Sequence, residues 1–214
     1  MDRRVVPSVF SIKDKDYVNR YLLAGKLSNR IHVDVMDGQF VNSKSPSLGL
    51  LSGLDYGKEI DVHLMVRNPS EYIGDLKILK AKRVYVHIEI GKFSEVIEYI
   101  NSLKKEGFLV NIAINPETNV DEIIPYVSHT DGCLIMSVRP GREGQGFILG
   151  IVRKIREVLK YMRGKEIAVD GGINLDSASM LKAENVNVIV SGSFVANSKN
   201  PELSYTQLKE VFCK

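Results

Sequence analysis

Eight short runs rich in β-branched residues alternate with longer amphipathic stretches along nearly the whole chain, and this alternation restricts the folds open to it. The runs occupy residues 5–9, 30–35, 60–64, 83–88, 109–114, 132–136, 166–169 and 186–190. Helix-like segments lie at residues 15–26, 70–79, 94–106, 120–127, 149–162 and 176–183, and a last one at 202–212 follows the eighth run. Strands that alternate with helices indicate an α/β protein with a parallel sheet.

Two arrangements of such a sheet are compatible with this pattern, a doubly wound open sheet and a closed barrel. The count of eight runs favours the barrel. The chain has 214 residues, and an eight-fold barrel typically uses about 250 but can form with about 200. We therefore predict a (β/α)8 TIM barrel that occupies residues 1–214 as one domain. The connection at residues 39–59 looks like a loop and is the weakest part of the count.

Charge and hydropathy argue against several partners. The net charge of +3 comes from 29 basic and 26 acidic residues, an excess too small to indicate nucleic acid. No apolar run approaches the roughly 20 residues of a membrane span, and the first residues lack the apolar core of a signal peptide. The two cysteines, Cys133 and Cys213, form no CxxC pair. We expect a reduced, cytoplasmic protein with no membrane partner; a homo-oligomer is compatible with the sequence, although no interface stripe stands out.

Polar side chains interrupt the apolar runs near their carboxyl ends. The strand period of two places His32 and Asp34 on one face of the second run, His63 stands in the third, and Asp170 follows the seventh. The carboxyl ends of barrel strands gather at one mouth, where active sites lie. Taken singly, each residue has an ordinary alternative as a core histidine or a capping aspartate. Together, two histidines and two aspartates at one mouth favour a divalent-metal site.

Other residues in the runs have weaker interpretations. Met36, Met65 and Met136 end three of the runs, so they fill the core or form an apolar cushion around a reaction centre. We interpret His87, near the end of the fourth run, as a hydrogen-bonded barrel residue. Asp61, near the start of the third run, is interpreted as structural.

Three glycine-containing turns follow the late runs, at residues 140–146, 170–174 and 191–193. Barrels often bind phosphate between the loops after strands seven and eight, where backbone N–H groups and a short helix face the oxygens. Each turn alone is most simply a tight turn. Together, beside a predicted metal site, they indicate a phosphorylated substrate.

Several of these segments resemble the ribulose-phosphate 3-epimerase family, and the resemblance runs from end to end. The matching segments are Pro7-Ser8, His32-Val33-Asp34-Val35-Met36-Asp37-Gly38, Asp61-Val62-His63-Leu64-Met65-Val66, Asn68-Pro69, Asn115-Pro116 with Thr118, Met136-Ser137-Val138, Pro140-Gly141, Gly144-Gln145, Val169-Asp170-Gly171-Gly172 and Ser191-Gly192-Ser193.

The resemblance implies a barrel of the ribulose-phosphate-binding type that converts D-ribulose 5-phosphate to D-xylulose 5-phosphate through a metal-stabilised enediolate. It implies that His32, Asp34, His63 and Asp170 hold one divalent ion. Zinc, iron, cobalt and manganese all suit such mixed ligands. It also implies that Asp34 and Asp170 are the two acid–base groups. The implied substrate-binding residues are Ser8, His63, Met36, Met65, Met136, Gly141, Gly144, Gly171, Gly172, Gly192 and Ser193.

Two loops depart from the family pattern and leave the substrate open. The loop at residues 39–45 differs, and Arg142 and Glu143 stand where the family usually has Phe-Gly. Glu143 near a phosphate would be unfavourable unless it points away or pairs with Arg142 or Arg139, while Arg142 is itself a candidate phosphate ligand. Two alternatives therefore remain: a 3-epimerase for a related ketose phosphate such as allulose 6-phosphate, and a non-catalytic sugar-phosphate-binding barrel.

Overall fold

Eight parallel strands pair in sequence order, and the eighth pairs with the first, so the sheet closes into the predicted barrel. The computed structural model describes residues 2–54 and 57–214. The strands are β1 (Arg4–Val9), β2 (Arg30–Met36), β3 (Glu59–Met65), β4 (Arg83–His87), β5 (Leu109–Ile114), β6 (Gly132–Met136), β7 (Glu166–Asp170) and β8 (Val188–Ser191).

Helices surround the barrel because their apolar faces cover the outward side chains of the strands. Helix α4 illustrates this, since Ile151, Ile155 and Val158 recur at helical spacing and are buried. The helices are α1 (Asp14–Leu27), α2 (Ile73–Ile78), α3 (Phe93–Lys105), α4 (Ile151–Tyr161), α5 (Leu175–Ala183), α6 (Ser193–Ala196) and α7 (Pro201–Cys213). Within the part of the chain that the structure describes, no helix is both long and apolar enough to cross a membrane.

Several connections differ in detail from the predicted helices. The segment predicted at 120–127 forms a 3-10 helix (Val120–Tyr126) with Pro125 inside it, and a proline cannot supply the N–H that a continuing α-helix needs. The segment predicted at 70–79 divides into a 3-10 turn (Pro69–Tyr72) and the short α2. Of the connection 39–59, the described residues contain one 3-10 turn (Leu48–Leu51) and no α-helix, as expected; residues 55 and 56 lie outside the described residues.

A buried ion-pair network closes the amino-terminal end of the barrel. Asp61 accepts hydrogen bonds from Arg30 and Arg83, both at 2.8 Å, and from the Tyr85 hydroxyl at 3.1 Å. Arg30 also donates to both carboxylate oxygens of Glu166, at 2.7 and 2.8 Å. Asp61 therefore has the structural role predicted for it, and the opposite end of the barrel is left to form the site.

Candidate metal centre and substrate cleft

The strand register brings the four predicted metal ligands together. Asp34 of β2 is the register partner of His63 of β3, and His32 precedes Asp34 by one strand period. Asp170 ends β7 on another side of the mouth. One ligand atom from each residue lies within 4.8 Å of the other three, and all four residues are buried.

The distances and the unpartnered atoms fit a divalent ion. Nδ1 of His63 lies 3.0 Å from Oδ1 of Asp34 and 3.8 Å from Oδ2 of Asp170. Nε2 of His32 lies 3.5 Å and 3.9 Å from the same two oxygens. Neither ring nitrogen of His32 has a hydrogen-bond partner among the described residues, and a buried polar atom without a partner is costly. Two imidazoles and two carboxylates form a donor set that suits zinc and similar transition metals.

The surroundings push the two carboxyl groups in opposite directions. For the protein side chains alone, burial raises the pKa of Asp170, and the negative charge of Asp34 raises it further. Burial would also raise the pKa of Asp34, but hydrogen bonds and charge from His32 and His63 outweigh burial and lower it. Burial lowers the pKa of His63 to about 4, so its imidazole is neutral near pH 7. Two like groups with separated pKa values can serve as a proton donor and a proton acceptor.

A cleft of about 520 Å³ opens above these ligands. Ser8, Asp34, Met65, Met136 and Asp170 all line it, and both methionines offer an apolar wall. Met36 pairs in register with Met65 but is 1% exposed and does not line the cleft. The structure therefore brings two of the three methionines to the cleft and leaves the third behind them.

The three glycine turns meet on one side of the same cleft. The lining residues include Gly141, Gly144, Gly171, Gly172, Gly192 and Ser193. Gly172 has a φ of +62°, and an added Cβ would lie 2.4 Å from the backbone nitrogen of Phe147, so only glycine fits there. The short helix α6 begins directly after Gly192, in the place where barrels often bind phosphate.

The unusual Glu143 is paired, but with neither of the arginines that the sequence suggested. Its carboxylate lies 2.5 Å from the guanidinium of Arg20 in α1, whereas Arg139 pairs with Glu117 instead. Oε1 of Glu143 lies 3.7 Å from the position that a Cβ on Gly192 would occupy, so it faces the glycine turns. Sequence reasoning did not single out Arg20, since one arginine in an amphipathic helix carries no signal of a contact 123 residues away.

His87 is hydrogen bonded inside the barrel, as predicted, but its partner was not foreseen. Its Nε2 lies 2.9 Å from Nε2 of His63, and its Nδ1 lies 3.0 Å from Oε2 of Glu89. His87 and Glu89 therefore stand directly behind one of the candidate ligands. The spacing of His87 and Glu89 was a visible signal, but only the pairing of β3 with β4 connects it to His63.

Comparison with known proteins gives a consistent result. The sequence profile described as "Ribulose-phosphate 3 epimerase family" matches residues 4–196. The chain is 32% identical to the ribulose-phosphate 3-epimerase of Schizosaccharomyces pombe, over 99% of this chain and 94% of that protein. It is also 32% identical to the ribulose-phosphate 3-epimerase of Helicobacter pylori, over 97% of each.

Solved structures share the fold at low sequence identity. KGPDC from Streptococcus mutans, in a complex with ribose 5-phosphate, superposes with a TM-score of 0.77 at 10% identity, covering 98% of this chain and 97% of that one. The 3-hexulose-6-phosphate synthase from Salmonella typhimurium superposes with a TM-score of 0.72 at 14% identity, covering 99% and 98%. At these identities the likeness concerns the fold alone.

Proposed function

Because the chain belongs to the ribulose-phosphate 3-epimerase family and is an isomerase, we propose that it inverts C3 of D-ribulose 5-phosphate to give D-xylulose 5-phosphate. The observation that carries this proposal is the buried group of His32, Asp34, His63 and Asp170 at the mouth of the barrel. A cytoplasmic location is part of the same proposal.

Asp34 and Asp170 are the two proton carriers in this proposal. The proton on C3 is acidic because C3 is adjacent to the C2 carbonyl, and its removal leaves an enediolate of the sugar. One carboxylate takes that proton from one face, and the other group, as a carboxylic acid, returns a proton to the opposite face. The two residues stand on β2 and β7, two strands that do not pair with each other, and both line the cleft.

His32, Asp34, His63 and Asp170 would hold one divalent ion, with zinc, iron, cobalt and manganese all compatible with the ligands. When bound, such an ion supplies Lewis-acid polarisation of the C2 carbonyl. Ser8 contacts the sugar beside this group. Met65 and Met136 exclude water from the reacting carbon, and Met36 supports them from behind.

The glycine turns bind the phosphate group through backbone N–H groups of Gly144, Gly172, Gly192 and Ser193. All four residues line the cleft beside the candidate ligands. Gly141 and Gly171 shape the turns so that the chain can approach the oxygens. The structural neighbour with ribose 5-phosphate bound supports a sugar phosphate as the ligand class.

Exchange of the C3 proton with solvent tests the proposal. The zinc- or manganese-loaded protein is mixed with ribulose 5-phosphate in D₂O, and in parallel with allulose 6-phosphate. We expect deuterium at C3 of the pentose and formation of xylulose 5-phosphate, because a two-base mechanism exchanges the proton. Faster exchange with the hexose would establish the related epimerase instead, and no exchange with either sugar would leave only a sugar-phosphate-binding barrel.

A further inference from the structure

The ring nitrogen of His63 that faces away from the carboxylates is not free. Nε2 of His63 lies 2.9 Å from Nε2 of His87, and the two rings stack with centroids 5.1 Å apart. Nδ1 of His87 lies 3.0 Å from Oε2 of Glu89. Both histidines are fully buried. We call His63, His87 and Glu89 the histidine relay.

The far end of the relay is clamped as a hydrogen-bond acceptor. Oε1 of Glu89 accepts the backbone N–H of Asn115 at 2.7 Å and the hydroxyl of Thr118. Burial would raise the pKa of Glu89, but the hydrogen bonds and charge of its neighbours lower it. Nζ of Lys154 donates to the backbone oxygens of Asn115 and Pro116 and so holds this turn in place. Glu89 is therefore an ionised carboxylate with one oxygen already saturated.

Counting protons along the relay determines the tautomer of each ring. Asp34, His63, His87 and Glu89 make three successive contacts, but two neutral imidazoles carry only two N–H groups. The carboxylate of Glu89 takes the Nδ1–H of His87, so Nε2 of His87 must accept. His63 then donates from Nε2, and its Nδ1 keeps a lone pair directed at Oδ1 of Asp34, 3.0 Å away. A lone pair that faces a carboxylate oxygen needs a cation between them.

We propose that His87 and Glu89 are positioning residues that hold His63 in the Nε2–H tautomer and thereby direct its Nδ1 lone pair to the metal. This inference rests on the ligand set of the proposed function. It also gives a role to the Asn115-Pro116 and Thr118 segment, which fixes the orientation of Glu89. The ring of Phe40 lies against His87, with centroids 4.7 Å apart, and covers the relay on one side.

The substitution Glu89→Gln tests the relay without changing side-chain size. The amide oxygen remains with Asn115 and Thr118, so the NH₂ group faces His87 and forces Nδ1 of that ring to accept. The proton of His87 then moves to Nε2 and opposes the Nε2–H of His63, whose own proton is displaced to Nδ1. We expect zinc affinity, measured by competition with a chromophoric chelator, to fall by about 10- to 100-fold.

A matched control is His129→Gln, which changes a half-buried histidine outside the relay and should keep the affinity of the wild type. Thermal unfolding of the metal-free proteins checks that Glu89→Gln still folds. Zinc affinity within about twofold of the wild type in a folded Glu89→Gln protein would overturn the proposal.

The zinc-loaded wild type supplies a second readout that does not depend on any variant folding. Long-range ¹H–¹⁵N NMR identifies the protonated nitrogen of each ring, and the chain has only four histidines. We expect protonation at Nε2 of His63 and at Nδ1 of His87; the opposite pattern would refute the relay. If zinc binding follows this pattern but no sugar phosphate exchanges its C3 proton, the relay stands and the proposed activity fails.

Discussion

Asp34 and Asp170 carry the same functional group into the same buried mouth, but their neighbours differ. Asp34 has an imidazole nitrogen at 3.0 Å and another at 3.5 Å, whereas the same nitrogens lie 3.8 and 3.9 Å from Asp170. The closer imidazoles stabilise the ionised form of Asp34, and the charge of Asp34 then disfavours ionisation of Asp170. Position along two strands is thus enough to give one residue type two roles.

Asp170→Asn is expected to reduce exchange of the C3 proton by at least about 100-fold, because the amide cannot carry a proton between solvent and substrate. Thermal unfolding should show that the variant still folds, since Asn has nearly the same volume. Asp176→Asn, on the exposed side of α5, is the control and should exchange at the wild-type rate. Normal exchange in the Asp170 variant would remove this residue from the mechanism. Zinc content, measured alongside, separates loss of the proton carrier from loss of the ion.

Helix α1 is connected to the turn after β6 by an ion pair that no local pattern predicts. Arg20 contacts Glu143 of that turn at 2.5 Å, Asp16 of its own helix at 2.9 Å and Asn197 beyond α6 at 2.9 Å. One side chain therefore joins three segments that border the glycine turns. It also neutralises a carboxylate that would otherwise repel a phosphate.

Arg20→Gln is expected to raise the KM for ribulose 5-phosphate roughly tenfold, equivalent to about 1.4 kcal/mol, because Glu143 would be left unpaired beside the phosphate. The double variant Arg20→Gln/Glu143→Gln should recover much of this loss, since it removes the repelling charge. Steady-state kinetics measures both. Arg153→Gln, which removes an exposed arginine of α4, controls for the change in net charge. A double variant as impaired as the single one would show that Arg20 acts by holding the loops rather than by its charge.

The barrel as a whole separates stability from chemistry along its axis. The amino-terminal end contains the network of Arg30, Asp61, Arg83 and Glu166, and the other end contains the candidate ligands and the cleft. Burial would raise the pKa of Glu166, but the hydrogen bonds and charge of Arg30 lower it below its ordinary 4.5. A lowered folded pKa stabilises the protein above the unfolded pKa, and this stabilisation is lost as the pH falls through the folded value.

Glu166→Gln is expected to lower the free energy of unfolding by about 3 kcal/mol at pH 7, because it removes one partner of a buried pair. The difference between wild type and variant should shrink as the pH falls below the ordinary 4.5 of a glutamate, since the wild-type carboxyl then becomes protonated. Urea denaturation at a series of pH values measures it, and zinc affinity should not change. A difference that stays constant down to the acid limit of folding would mean that the ion pair does not supply the stability.

The chemistry-bearing residues and the fold class could be read from local patterns. Eight apolar runs predicted the barrel, and the strand period of two placed His32 and Asp34 on one face, because strand geometry depends only on neighbouring residues. The carboxyl ends of parallel strands meet at one mouth by topology, which is why His63 and Asp170 could be predicted beside them. The barrel and the convergence of the four residues are confirmed by the structure.

Contacts between distant segments could not be read in this way. Arg20 with Glu143, His87 with His63, and the place of Met36 behind Met65 depend on the register and packing of the closed barrel. Such contacts depend on side-chain geometry across elements, which no period in the sequence encodes. The amino-acid sequence alone therefore determined the barrel and the residues at its mouth, because those follow from local periodicity and parallel topology. The tertiary structure decided which side chains stand behind them, because those contacts form only when the barrel closes.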